Sequence, residues 1–125
     1  MRLSRTVEYA VQAAVHLAKA DSDEPVSCRR LAESEGLPER FLLQILRSLV
    51  THGILRSTRG VEGGYALARA PKDITLLNII EAIDGPMHLD FPATKCPTSL
   101  KKALIAVSDR VRKELTNLSL ADLAR

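Results

Sequence analysis

Apolar residues along this chain recur at two spacings, and the spacing changes where turn residues stand. From Arg5 to Lys19 the apolar positions Val7, Ala10, Val11, Ala14, Val15 and Ala18 fall on one stripe, a helical period. Ser4 precedes them as an N-cap. A polar connector, Asp21 to Pro25, leads to Ser27, which caps a helix over Cys28–Glu35 that stops at Gly36. A second helix opens at Pro38 and Glu39 and stops at Gly53. The proline gives up no useful N–H at a helix start, and the glutamate meets the positive end of the helix dipole. Its core stripe is Phe41 or Leu42 with Ile45, Leu46, Leu49 and Val50. The period then shortens. Ile54–Ser57 and Gly64–Leu67 read as two strands around a tip, Arg59–Gly63.

Thr75 caps a helix over Leu76–Ile83, which Asp84-Gly85-Pro86 ends. Met87–Pro97 is a loop. The longest helix, Ser99–Asn117, carries Leu100, Leu104, Val107, Val111, Leu115 and Leu118 on a narrow seam flanked by Lys101, Lys102, Arg110, Arg112, Lys113 and Glu114. Ser119 caps a last turn, Leu120–Ala124. Two short helices joined by a tight turn and followed by a Gly-rich hairpin form a winged helix-turn-helix. The fold class expected is therefore mainly α. It has a DNA-binding unit over residues 1–86, a sensor-type loop over 87–98 and a dimerisation helix with its terminal turn over 99–125, together one compact domain. A seam repeating near every 3.5 residues is the pattern of a helix–helix interface, so Leu100, Leu104, Val107, Val111 and Leu115 are assigned to a homodimer; packing inside one subunit is the alternative.

Charge sharpens this picture. The 125 residues carry a net charge of +3. Between Val26 and Lys72 eight arginines or lysines stand against four glutamates, so this stretch holds the whole positive excess. That is the footprint of a phosphate-binding module. Aromatic residues make up 3%, which argues against a stacking platform for single strands. With the core stripe assigned, Arg40, Gln44, Arg47 and Thr51 line the opposite face of the second short helix. Arginine can bond guanine and glutamine adenine through paired contacts, and Leu43 on that stripe suits a thymine methyl. A solvated basic face with a half-buried leucine is the plainer alternative. Arg29 joins the basic set. Arg59, beside Gly60 in the hairpin tip, is positioned for a narrow minor groove or for solvent.

Other chemistries find little support. The histidines His16, His52 and His88 lie on unrelated elements and form no catalytic constellation, so an enzyme is not expected. Cys28 and Cys96 form no CxxC pair. The polar first residues and the lack of a long apolar run lead us to expect a cytoplasmic protein with reduced thiols and no membrane association.

The chain resembles the family of iron–sulfur cluster regulators and nitric-oxide-sensing repressors (IscR/NsrR type, with the cysteine-metabolism regulator CymR). The residues carrying the resemblance run through almost the whole sequence: Met1-Arg2-Leu3-Ser4, Glu8-Tyr9-Ala10, Pro25-Val26-Ser27, Leu31-Ala32-Glu33, Gly53-Ile54-Leu55, Arg59-Gly60, Gly63 to Arg69, Ile74 to Leu77, Glu81 to Pro86 and Leu118 to Leu123. The resemblance implies a homodimeric winged helix-turn-helix transcription factor; a repressor that reads a palindromic operator is expected. It implies operator contacts from Arg40, Leu43 and Gln44 and a minor-groove arginine at Arg59. Leu43 departs from the acidic residue that cluster-binding members can carry there, and Glu62 departs from a wing-tip glycine.

The resemblance also implies where a cluster would sit. Cluster-binding members supply three cysteines from the loop before the long helix, where this chain has only Cys96; Thr98 and Lys101 stand where further ligands would fall. Glu8, His88, Asp90 and Cys96 are the remaining ligand set, and one thiolate is too few for an ordinary cluster. The expectation is a regulator without a cofactor. It would respond to a small-molecule effector, a partner enzyme or oxidation at Cys96. A protein-interaction module on the same dimer, and a redox sensor with unusual cluster ligands, are the competing readings.

Overall fold

The computed structural model describes residues 3–20, 23–87 and 97–125. Helix α1 spans Arg5–Lys19, with the Ser4 hydroxyl accepting from the Val7 N–H. Helix α2 spans Cys28–Glu35 and α3 spans Glu39–Thr51. Strands β1 (Leu55–Thr58) and β2 (Gly64–Leu67) pair antiparallel, Leu55 opposite Leu67. Helices α4 (Leu76–Asp84), α5 (Thr98–Thr116) and α6 (Leu120–Leu123) complete the chain. The capping residues predicted four starts, those after Ser4, Ser27, Thr75 and Ser119, and each accepts from the backbone N–H three residues on, whereas the long helix begins at Thr98, one residue before the expected Ser99. One element went unforeseen, a 3-10 turn over Pro71–Asp73. It is too short to carry a period.

The core joins α1, α3 and α4. Val7, Ala10, Ala13, Ala14 and Leu17 from α1 are buried with Leu42, Ile45, Leu46 and Leu49 from α3 and Ile79 from α4. The α1 stripe is thus rotated from the one predicted: Ala13 and Leu17 are inside, whereas Val11, Val15 and Ala18 are half-buried at its edge. The choice on α3 falls to Leu42, and Phe41 is 59% exposed. Small alanines on α1 let α3 approach closely, which fits a core almost without aromatics.

The short helix α2 is held at both ends. Gly36 ends it in the left-handed conformation, φ +66°. The Gln12 side chain donates to the Glu35 carbonyl at 3.0 Å, and His16 Nδ1 meets the Glu35 carboxylate at 3.2 Å. The hairpin is stitched to the residues just before α2. Val26 N–H donates to the Tyr65 carbonyl at 2.9 Å, and Tyr65 N–H returns to the Val26 carbonyl at 2.8 Å. The C-terminal turn is stitched back as well: Leu120 N–H reaches the Ile74 carbonyl at 2.7 Å, and the Leu120 side chain is fully buried.

Candidate nucleic-acid interface

The burial of Leu42, Ile45, Leu46 and Leu49 fixes which way α3 faces. Arg40, Gln44, Arg47 and Thr51 stand on the opposite side and are all exposed. Leu43 is half-buried at the edge of that face. The Thr51 hydroxyl donates to the Arg47 carbonyl at 3.0 Å, which orients it along the helix. Gly53, with φ +73°, turns the chain sharply from α3 into the hairpin.

The hairpin tip projects into solvent. Arg59 and Gly60 are exposed, and Gly63 N–H closes the tip onto the Gly60 carbonyl at 3.0 Å. A side chain at 63 would lie 2.2 Å from the Thr58 carbonyl oxygen, so the tip closes only around glycine. Arg29 is exposed on α2 beside Glu33 at 3.2 Å, a surface ion pair of little strength that leaves the guanidinium at hand for a stronger anion. Sequence reading passed over Arg30. It lines a cleft with Ser27, Val61 and Glu62, between the start of α2 and the tip. Only the fold that brings residues 27 and 62 together reveals it.

The proposed seam of α5 divides in two. Ser108 is buried, Leu104, Val111 and Leu115 are half-buried, and α5 packs on α4. Leu100, Val107 and Leu118 are exposed, at 48%, 50% and 41%. Part of the seam is therefore half-covered within the chain, and part presents apolar groups outward.

A clasp joins α4 to α5. Arg112 Nη1 donates to Glu81 Oε2 at 2.6 Å and to the Met87 carbonyl at 3.3 Å, while Met87 N–H donates to the same Glu81 oxygen at 2.8 Å. Burial alone would raise the Glu81 pKa. The hydrogen bonds from Arg112 and Met87, with the Arg112 charge, outweigh it and hold the carboxyl below the ordinary glutamate range. A carboxyl whose folded pKa is depressed stabilises the fold above its unfolded pKa, and that contribution is lost as pH falls through the folded value. Melting temperature is therefore expected to drop between about pH 5 and about pH 3, with a shallower drop in Glu81→Gln. Identical slopes in the two proteins would show that the clasp adds nothing.

The candidate cluster ligands Glu8, His88, Asp90 and Cys96 include a single cysteine, fewer thiolates than an ordinary iron–sulfur centre takes. The chain has two cysteines. Cys28 is half-buried on α2, its thiol directed to the Glu39 carbonyl at 3.7 Å. Burial, then the Glu39 charge, push its pKa up, the opposite of what a thiolate ligand needs. Glu8 is exposed on α1, and His88, Asp90 and Cys96 lie outside the described residues. Among the described residues no three His, Cys, Asp or Glu side chains gather as a metal site, and no helix is long and apolar enough to cross a membrane.

Comparison with known proteins agrees with the fold. Residues 3–125 match the profile of the Rrf2 family, described as iron-dependent transcriptional regulators. The Mycobacterium tuberculosis protein Rv1287 is 39% identical over 99% of this chain and 81% of its own. CymR of Bacillus subtilis, an HTH-type transcriptional regulator, is 30% identical over 99% of this chain and 90% of its own. The solved structure of B. subtilis CymR, the global cysteine regulator of that organism, superposes with a TM-score of 0.87 at 29% identity, over 99% of this chain and 96% of that one. The T. potens IscR structure gives 0.78 at 35% identity, over 98% and 85%. A winged helix-turn-helix with a long C-terminal helix, an exposed basic face on α3 and these relatives together place the chain in the Rrf2 family of DNA-binding transcriptional regulators, which are not enzymes.

Proposed function

We propose that the protein is a homodimeric repressor that reads a palindromic operator with α3 in the major groove and the hairpin tip in the minor groove. The observation that carries this reading is the exposure of Arg40, Gln44, Arg47 and Thr51 on one face, opposite the buried stripe of the same helix. Arg40, Arg47 and Gln44 supply the paired donors and acceptors that distinguish bases, and Leu43 at the edge supplies an apolar contact. Arg59 on its glycine-flanked tip can enter a narrow groove where negative potential is concentrated. Arg29 and Arg30, both exposed in the first turn of α2, serve phosphates in this reading. The outward apolar groups of α5 support a two-fold partner, whose symmetry the operator mirrors.

Affinity is expected to fall steeply with salt, by a log–log slope of about −0.9 for each phosphate contacted. Arg59→Ala should weaken operator binding by about 1–3 kcal/mol and do so most on sites with an A·T-rich contact for the tip. Equal weakening on every sequence would reduce Arg59 to a phosphate contact. A salt-independent affinity, or one equal for operator and random DNA, would refute the operator reading.

The donor set supports regulation without an iron–sulfur cofactor. Protein purified without oxygen should be colourless and should bind its operator at full affinity after iron is chelated. Visible absorbance with stoichiometric iron and sulfide would overturn this and would direct attention to Glu8, His88, Asp90 and Cys96.

A further inference from the structure

An open cleft of about 630 Å³ lies where the end of α3, the end of the hairpin, α4 and α5 meet. His52, Arg69, Asn78, Glu81 and Arg112 line it, over a floor that includes the buried Ile54 and Ala82. The volume is within the range of sites that hold small metabolites. Among the described residues its lining carries two arginines and one carboxylate. That carboxylate, Glu81, is already seated against Arg112 at 2.6 Å. Among the described residues Arg69 donates through Nη1 only to the backbone carbonyl of Asp73, at 3.3 Å. Guanidinium groups favour carboxylate and phosphate because their N–H donors match paired oxygens.

We propose that this cleft binds a small organic anion, carrying a carboxylate or a phosphate group, between Arg69 and Arg112, and that the anion competes with Glu81 for Arg112. Glu81 occupies the place of the ligand's acidic group when the cleft is otherwise empty of anions. Exchange leaves Arg112 paired throughout, so no cation is stranded. It frees Glu81, which also holds the Met87 N–H, and so loosens the tie between α4 and the segment that follows it. The cleft touches His52 at the end of α3 and Arg69 just after β2, so its occupancy bears on both elements that present basic groups. Only this last consequence, control of operator binding, rests on the reading given under Proposed function; the binding of the anion does not.

The two members of the clasp make opposite predictions, which separates competition from simple structural support. The full chain is titrated with inorganic phosphate, acetate and citrate at constant ionic strength, by calorimetry and by NMR of the arginine Nε–H signals. Saturable binding is expected with shifts at Arg69 and Arg112. Arg112→Gln and Arg69→Gln should each weaken it about ten-fold or more, about 1.4 kcal/mol. Glu81→Gln should tighten it several-fold, because the competitor is gone, and Arg125→Gln should leave it unchanged. Preference for phosphate assigns a phosphate ester as the ligand class, and preference for acetate or citrate assigns a carboxylate. Absence of saturable binding of all three anions would overturn the proposal. So would binding that survives Arg69→Gln, or that weakens in Glu81→Gln. If Arg112→Gln does not fold, the Arg69 and Glu81 variants decide the matter.

Discussion

Val107→Glu is expected to convert the protein from dimer to monomer and to abolish tight operator binding at the same concentration. Val107 is half exposed on α5 in a single chain, and Leu100 on the same helix and Leu118 just past its end are exposed as well. The helix of 19 residues runs roughly 28 Å, enough for a paired seam several turns long. A glutamate in that seam would be buried unpaired in both copies, at a cost on the order of 3–5 kcal/mol each. Sedimentation equilibrium checks the first half of the expectation and anisotropy with labelled duplex the second. Leu104 and Val111 are less clean positions, because they are half-buried within the chain and a charge there would also disturb packing inside one subunit. A Val107→Glu protein that remains dimeric would remove α5 from the interface.

Gly64→Ala is expected to unfasten the wing. The backbone at Gly64 has φ +151°, and a Cβ there would lie 2.4 Å from both the carbonyl carbon and the oxygen of Val26. Those are main-chain atoms, so they cannot swing aside as a flexible side chain would. The chain would have to part, and the Val26–Tyr65 pair of hydrogen bonds would be the first to go. Backbone strain and two lost bonds together predict a loss of about 2–4 kcal/mol in stability, read as a lower urea midpoint. The hairpin tip would then lose its fixed place beside the start of α2, so operator affinity should fall even where the protein is still folded. Wild-type stability in Gly64→Ala would mean that the hairpin is not held by Val26.

Much of this was legible before any coordinates. Capping residues are local signals: Ser4, Ser27, Thr75 and Ser119 act on N–H groups three residues away, and the helices begin where those residues predict. The α3 face was legible because four buried leucines and isoleucines leave one side for Arg40, Gln44, Arg47 and Thr51. What sequence could not supply was the meeting of distant segments. The choice between Phe41 and Leu42 depended on how α1 lies across α3, and the helical period allows either. The cleft that holds Arg30 needs the wing folded back onto residue 26. The Glu81–Arg112 clasp joins positions 31 apart, through side chains that read in sequence as ordinary surface charges. The seam on α5 carried a true period, but a period cannot say which of its members face α4 and which face outward.

The central claim is sequence-specific recognition of duplex DNA by the α3 face. It is tested most directly by selecting the protein's preferred sites from a random duplex pool, in parallel with Arg40→Ala. The account predicts an enriched inverted repeat for the unmodified protein, with half-site centres about one helical turn or a multiple of it apart. It predicts loss of the preference at one base pair per half-site in Arg40→Ala. A pool that enriches no motif, or a motif unchanged in Arg40→Ala, would contradict it.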